Sequence, residues 1–159
     1  MRGITANVAQ FKTRGLDFQA TYSQNLDDVG LAGTLTTNLL ATHVMSFKSS
    51  IDVSTLFPNG IDRAGQTGAQ FGGPAGLPKW LFNLTLDYEL DRLGLNANVR
   101  YVSPSSQNNG LFGPDEPEYN PALTTSISNN NIPAVAYLDL GARYSFGADK
   151  QFTVYFNVD

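Results

Sequence analysis

The feature that most constrains this chain is its period. From residue 80, Trp80, Phe82, Leu84, Leu86, Tyr88 and Leu90 fall on one side of an extended backbone, against Leu81, Asn83, Thr85, Asp87 and Glu89 on the other. The same alternation sets Leu95, Ala97, Val99 and Tyr101 against Asn96, Asn98 and Arg100. It sets Ala136, Leu138, Leu140, Ala142, Tyr144 and Phe146 against Tyr137, Asp139, Gly141, Arg143 and Ser145. Phe152, Val154, Phe156 and Val158 repeat it at the end, and Leu16, Phe18, Ala20 and Tyr22 near the start. A period of two over this many segments specifies β-strands with one apolar and one polar face, and no window carries a helical stripe. Residues 31–47 alternate less cleanly. Leu31, Leu35, Leu39, Met45 and Phe47 share a face with Gly33, Thr37 and Ala41, while Leu40 and Val44 fall on the other, which predicts a bulge or a protruding strand end there.

The connections are more specific than the strands. Residues 25–30, 91–93 and 147–149 are short and polar, whereas residues 48–79 and 103–135 are long and rich in Gly, Pro, Asn and Ser. Two loops of that length are uncommon in an ordinary domain. Here they alternate strictly with the short turns. Short turns at one end and long loops at the other are the pattern of an outer-membrane barrel, whose strands cross a bilayer in about 9–11 residues.

Bulk properties narrow the alternatives. The 159 residues are 42% apolar and 15% charged, with a net charge of -4, so no basic surface invites nucleic acid. There is no cysteine for a disulfide or thiolate metal site. No apolar run is long enough for a membrane helix, and Met1 to Asn7 lacks the apolar core of a signal peptide.

Two arrangements remain: apolar side chains outward in a membrane, or inward in a soluble barrel. A polar face turned to hydrocarbon would put Asp87, Glu89, Arg100, Asp139 and Arg143 in lipid, at about 2–4 kcal/mol for each midplane arginine. These five are therefore expected to face a lumen and pair with one another. The polar faces are rich in Asn, Thr, Gln and Ser, and Tyr22, Trp80, Tyr88, Tyr101 and Tyr144 lie near the ends of the apolar faces, where an aromatic girdle would sit. With the loop alternation, these features favour the membrane arrangement.

Two stretches resemble the barrel of the TonB-dependent receptors. Lys12-Thr13-Arg14-Gly15-Leu16-Asp17-Phe18 is similar to a segment that opens a late strand in that family, with Gly15 suited to a tight turn or bulge. Tyr137-Leu138-Asp139-Leu140, followed by residues 151–159, is similar to the family's closing strands and stops at Asp159, where an Asn-Leu-Phe-Asp motif would begin. The resemblance implies an all-β, antiparallel up-and-down meander: an incomplete transmembrane barrel domain over residues 1–159. Six strands are expected, with a seventh at residues 4–10, and the plug domain and final strands lie outside this chain. It further implies a bacterial outer-membrane location and energy-coupled uptake of a scarce ligand such as a siderophore, another metal chelate or an oligosaccharide. Outer-membrane lipid, a TonB-type energy-coupling protein and a small-molecule ligand would be the partners. A passive porin-like barrel and a soluble all-β binding module are the alternative readings.

The sequence carries no catalytic motif, and neither a cofactor nor a resident metal is expected. His43 stands alone on a strand, away from any second histidine. The glycines at Gly65, Gly68, Gly72 and Gly73 lack the strand-to-helix setting of a phosphate loop. Asp115, Glu116, Glu118 and Tyr119 cluster in the second long loop, either as a solvated loop tip or as contacts for a cationic or iron-bearing ligand.

Overall fold

A computed structural model describes residues 11–49, 56, 58–68 and 77–159. Six strands form one antiparallel sheet: β1 (Phe11–Asn25), β2 (Thr34–Ser49), β3 (Trp80–Leu90), β4 (Leu93–Val102), β7 (Val135–Phe146) and β8 (Phe152–Val158). A two-residue pair, β5 (Ser105–Ser106) with β6 (Asn131–Ile132), makes a separate small sheet. The large sheet runs β1-β2-β3-β4-β7-β8, so every neighbour in space is the next long strand in sequence. This is the up-and-down meander expected. Among the described residues the sheet is open, with β1 and β8 at its edges. The seventh strand expected at residues 4–10 falls outside the described residues.

The register explains why the alternation is so clean. A two-residue turn at Asp91 and Arg92 sets Leu90 opposite Leu93, with Asp91 at a positive φ of 44°, which aspartate tolerates better than most residues. From there Leu84, Val99 and Leu138 share one cross-strand row, and Thr85, Asn98 and Asp139 the next. Each row is wholly apolar or wholly polar because one residue of slip would exchange the faces. The β1–β2 turn holds a 3-10 turn, Leu26–Val29, capped by the Asn25 side chain accepting from the Asp27 N–H and ended by Gly30 at φ 79°.

Two sequence expectations need correction. Of the two alternatives for residues 31–47 the bulge fails at Leu40: Asp17 pairs with Thr42, Thr21 with Asn38 and Ser23 with Thr36, a constant register across that residue, while β2, at 16 residues, is longer than β3, β4 or β7. Leu40 instead lines a groove on the polar face with Leu81, Val102 and Tyr137, so an apolar patch accommodates it there. Gly15 lies within β1 rather than in a turn. A Cβ there would meet the His43 carbonyl at 2.8 Å, so glycine is required by the close approach of β2.

The chain divides into two compact units. One comprises Asp17–Thr42, Leu81–Val102 and Val135–Asp159; the other comprises Met1–Leu16, His43–Trp80 and Ser103–Ala134. The first is the body of the sheet and contains all three short connections. The second contains both long loops, which bond to each other directly.

No second layer covers the sheet among the described residues. Ala41 and Ala64 are the buried apolar side chains, and no large side chain is fully buried. On the apolar face Leu138, Val154 and Phe156 remain 54%, 59% and 66% exposed. A soluble domain of this size builds a core between layers; this sheet leaves its apolar face uncovered among the described residues.

Candidate functional site

The polar face of the sheet holds all five charged residues anticipated from the alternation, but only four of them pair: Asp87 has no ion pair among the described residues. Its rows run across β3, β4 and β7 as Asn83–Arg100–Tyr137, Thr85–Asn98–Asp139, Asp87–Asn96–Gly141 and Glu89–Gly94–Arg143. β8 extends the last two with Asn157 and Tyr155. Arg100 pairs with Asp139 at 3.4 Å and lies over the Tyr137 ring, while the Asn98 amide donates to Asp139 at 3.1 Å. Both partners are partly exposed, so the pair orders the face and contributes at most about 1 kcal/mol.

Arg143 does something less ordinary. It reaches across β4 to donate to Glu89 on β3, although Gly94 stands between them in the row. A Cβ on Gly94 would collide with the guanidinium, so the missing side chain makes the crossing possible. Gly94→Val is expected to displace Arg143 and destabilise the sheet by about 1–3 kcal/mol, the usual cost of forcing extra carbon into an occupied space. Chemical denaturation in detergent measures this. An unchanged midpoint would mean that the ion pair does not need the gap.

The five aromatic candidates divide between the strand ends. Tyr22, Tyr88 and Tyr144 lie towards the short turns, and Tyr88 donates to the Ala32 carbonyl at 2.7 Å. Trp80 and Tyr101 lie towards the long loops. His43 stacks on Trp80 with centroids 3.9 Å apart, and its Nδ1 is 2.9 Å from the Lys79 carbonyl. That is a side chain held by an aromatic face and a backbone carbonyl, as befits a strand-surface histidine.

The long loops form a hydrogen-bonded body centred on residues the alternation could not reveal. The Asn109 side chain donates to the carbonyls of Asp62 at 2.6 Å and Ala64 at 3.1 Å, and accepts from Ser106. Its N–H donates to Oε1 of Gln66 at 2.9 Å, and Gln66 is 4% exposed. Ser106 donates its N–H to the Gly65 carbonyl and accepts from the Thr67 N–H, joining the two loops by backbone as well. Within the second loop, the Asn130 amide donates to the Asn108 and Leu111 carbonyls and accepts from the Asn108 N–H. Polar side chains here replace the backbone ladder that irregular segments lack.

Asp62 anchors the first loop to the end of β2, accepting from the N–H groups of Phe47 at 2.9 Å and Ala64 at 3.1 Å. Burial pushes its carboxyl pKa up, but the Phe47 N–H, Ser46, the Ala64 N–H and Lys48 together outweigh this and hold it below the ordinary value. A lowered folded-state pKa gives stabilisation that is present above the unfolded value, about 3.9, and lost as pH falls through the folded one. Exchange protection of the Phe47 and Ala64 amides is therefore expected to be flat at neutral pH and to fall in acid below that range. Asp62→Asn should remove this acid dependence. A wild-type curve that stays flat to low pH would contradict the assignment.

Of the loop candidates, Asp115 and Glu116 line a groove with Asn109, Ser128, Asn129, Asn130 and Asn131, while Glu118 and Tyr119 do not. Glu116 also accepts from the Gly113 N–H, closing its own turn.

A family model described as TonB dependent receptor-like, beta-barrel, matches residues 3–159. No curated protein and no solved structure matches the chain.

Proposed function

The chain belongs to the TonB-dependent receptor-like β-barrel family, whose members are transporters and receptors of the bacterial outer membrane, and from that premise we propose that it forms part of the wall of an energy-coupled uptake channel. In this reading the apolar face meets lipid and the polar face lines the interior. The tyrosines and Trp80 at the strand ends lie at the two membrane boundaries. The observation that carries it is the combination of an uncovered apolar face with a polar face of paired charges.

Open edges at β1 and β8 cannot stand in hydrocarbon, where every backbone polar group needs a partner, so further strands complete the barrel. A TonB-type protein supplies energy to the whole receptor, and a scarce ligand such as a siderophore, another metal chelate or an oligosaccharide is its cargo. The long loops receive that ligand outside the cell, with Asp115 and Glu116 on the groove that faces it.

The test is made on the whole protein in cells. It should fractionate with the outer membrane, and its uptake should stop when the proton gradient is collapsed. Uptake that persists without the gradient would make it a passive pore. Sidedness has its own test, since these 159 residues contain no cysteine. Cysteine at Glu118 should react with an impermeant reagent in intact cells, and cysteine at Asp149 only after the outer membrane is opened. Equal labelling of both in intact cells would refute the topology.

A further inference from the structure

Two adjacent rows of the polar face each contain a glycine in the interior of a strand. One row reads Asp87–Asn96–Gly141–Asn157 and the other Glu89–Gly94–Arg143–Tyr155, across β3, β4, β7 and β8. Glycine weakens a strand and often marks the place where another molecule approaches the backbone. Beside these rows the polar face holds a concavity of about 230 Å³ lined by Asp87, Glu89, Asn96, Arg143, Tyr155 and Asn157, with Arg143 lying in the gap at Gly94. The Oδ1 atoms of Asn96 and Asn157 converge over Gly141, where a Cβ would collide with both.

The bonding state of these groups is informative. Arg143 is committed to Glu89. Asp87, Asn96, Tyr155 and Asn157 make no side-chain hydrogen bond among the described residues, although they converge on one concavity. A carboxylate accepts, an amide both donates and accepts, and a phenol does either. That set complements vicinal hydroxyls, each of which is at once donor and acceptor. The Tyr155 ring adds an apolar surface for the C–H face of a sugar. The net charge is negative, because the single cation is already paired, so an anionic metal chelate is disfavoured. The volume is below the roughly 300–1,000 Å³ of pockets that enclose a drug-sized ligand, which suits one ring rather than a bulky chelate.

We infer that this concavity is a subsite for one ring of a neutral, polyhydroxylated ligand on the channel-facing wall. The inference rests on the transporter reading and narrows its cargo to saccharides. Asp87 and Asn96 engage a pair of neighbouring hydroxyls, Asn157 a third, and Tyr155 lies against the ring.

The test uses the purified whole protein in detergent and titration calorimetry. The neutral probes are maltose, cellobiose, galactobiose and mannobiose, and ferric citrate is the anionic probe. At least one disaccharide should bind and ferric citrate should not. Asp87→Asn keeps the shape but removes the charge from a hydrogen bond, and should weaken sugar binding about tenfold. Gly141→Ala displaces the Asn96 and Asn157 amides and should weaken binding at least about tenfold, while Ser23→Ala, elsewhere on the same face, should leave it unchanged. If Gly141→Ala does not fold, the isosteric Asp87→Asn decides alone. Binding of none of the four disaccharides, binding of ferric citrate in their place, or sugar binding indifferent to Asp87→Asn would each overturn the subsite. A protein that imports ferric citrate in a gradient-dependent way would sink this inference and leave the transporter reading intact. A protein absent from the outer membrane would sink that reading itself.

Discussion

Leu84→Arg is expected to prevent assembly of the whole protein into the outer membrane, while Thr85→Arg, one residue away, is tolerated. Leu84 stands mid-strand in the apolar row with Val99 and Leu138. An arginine on that face near the bilayer midplane costs about 2–4 kcal/mol, a large share of the 5–15 kcal/mol that typically holds a domain together. Thr85 stands in the polar row with Asn98 and Asp139, where a guanidinium finds water and a carboxylate. The measurement is the amount of each variant that reaches the outer membrane in a folded, protease-resistant form. Loss of Thr85→Arg with survival of Leu84→Arg would reverse the facing of every strand. Equal tolerance would remove the membrane from the argument.

The second large effect belongs to Asn109. Asn109→Ala removes two donated hydrogen bonds and one accepted bond from the junction of the long loops. It leaves the carbonyls of Asp62 and Ala64 without that donor in a part-buried setting. At about 1 kcal/mol for a net bond, and more where a buried group is left unpaired, the loss comes to about 2–4 kcal/mol. Amides of Thr67 and Ser106 should then exchange far faster, because both bond across the same junction. The amides of β4 and β7 should be unaffected. Asn120→Ala is the control: its side chain closes a turn two residues on, onto the Ala122 N–H, so its loss is local. If the two variants exchange alike, the junction does not depend on Asn109.

The contrast between these residues shows what could be read without a structure. Leu84 and Thr85 were assignable because a strand's facing is a local property, written in alternate residues. The five charged residues were placed on one face by the same rule; the Asp91–Arg92 turn fixes the register of Asp87, Glu89 and Arg100, while that of Asp139 and Arg143 depends on the β4–β7 pairing. Gly141 was placed on that face by the same alternation, but the polar row it interrupts appears only in the strand pairing. That Gly94 would let Arg143 cross a whole strand was not, because it depends on three strands lying side by side. The junction of the loops was hidden for the same reason. Gln66 and Asn109 are 43 residues apart, and no period links them. Leu40 misled because facing was judged from one strand, whereas Leu81, Val102 and Tyr137 supply its apolar neighbours from three others.

That separation of Gln66 from Asn109 also orders the events of assembly. Contacts between distant residues cannot form until the intervening chain has been brought to heel, and the entropy of closing that loop must be met first. Between these two residues lie β3 and β4, a hairpin whose own partners are at most about twenty residues apart. The hairpin can therefore zip early, while the junction waits for it. The two long loops accordingly knit together only after the hairpin between them has closed.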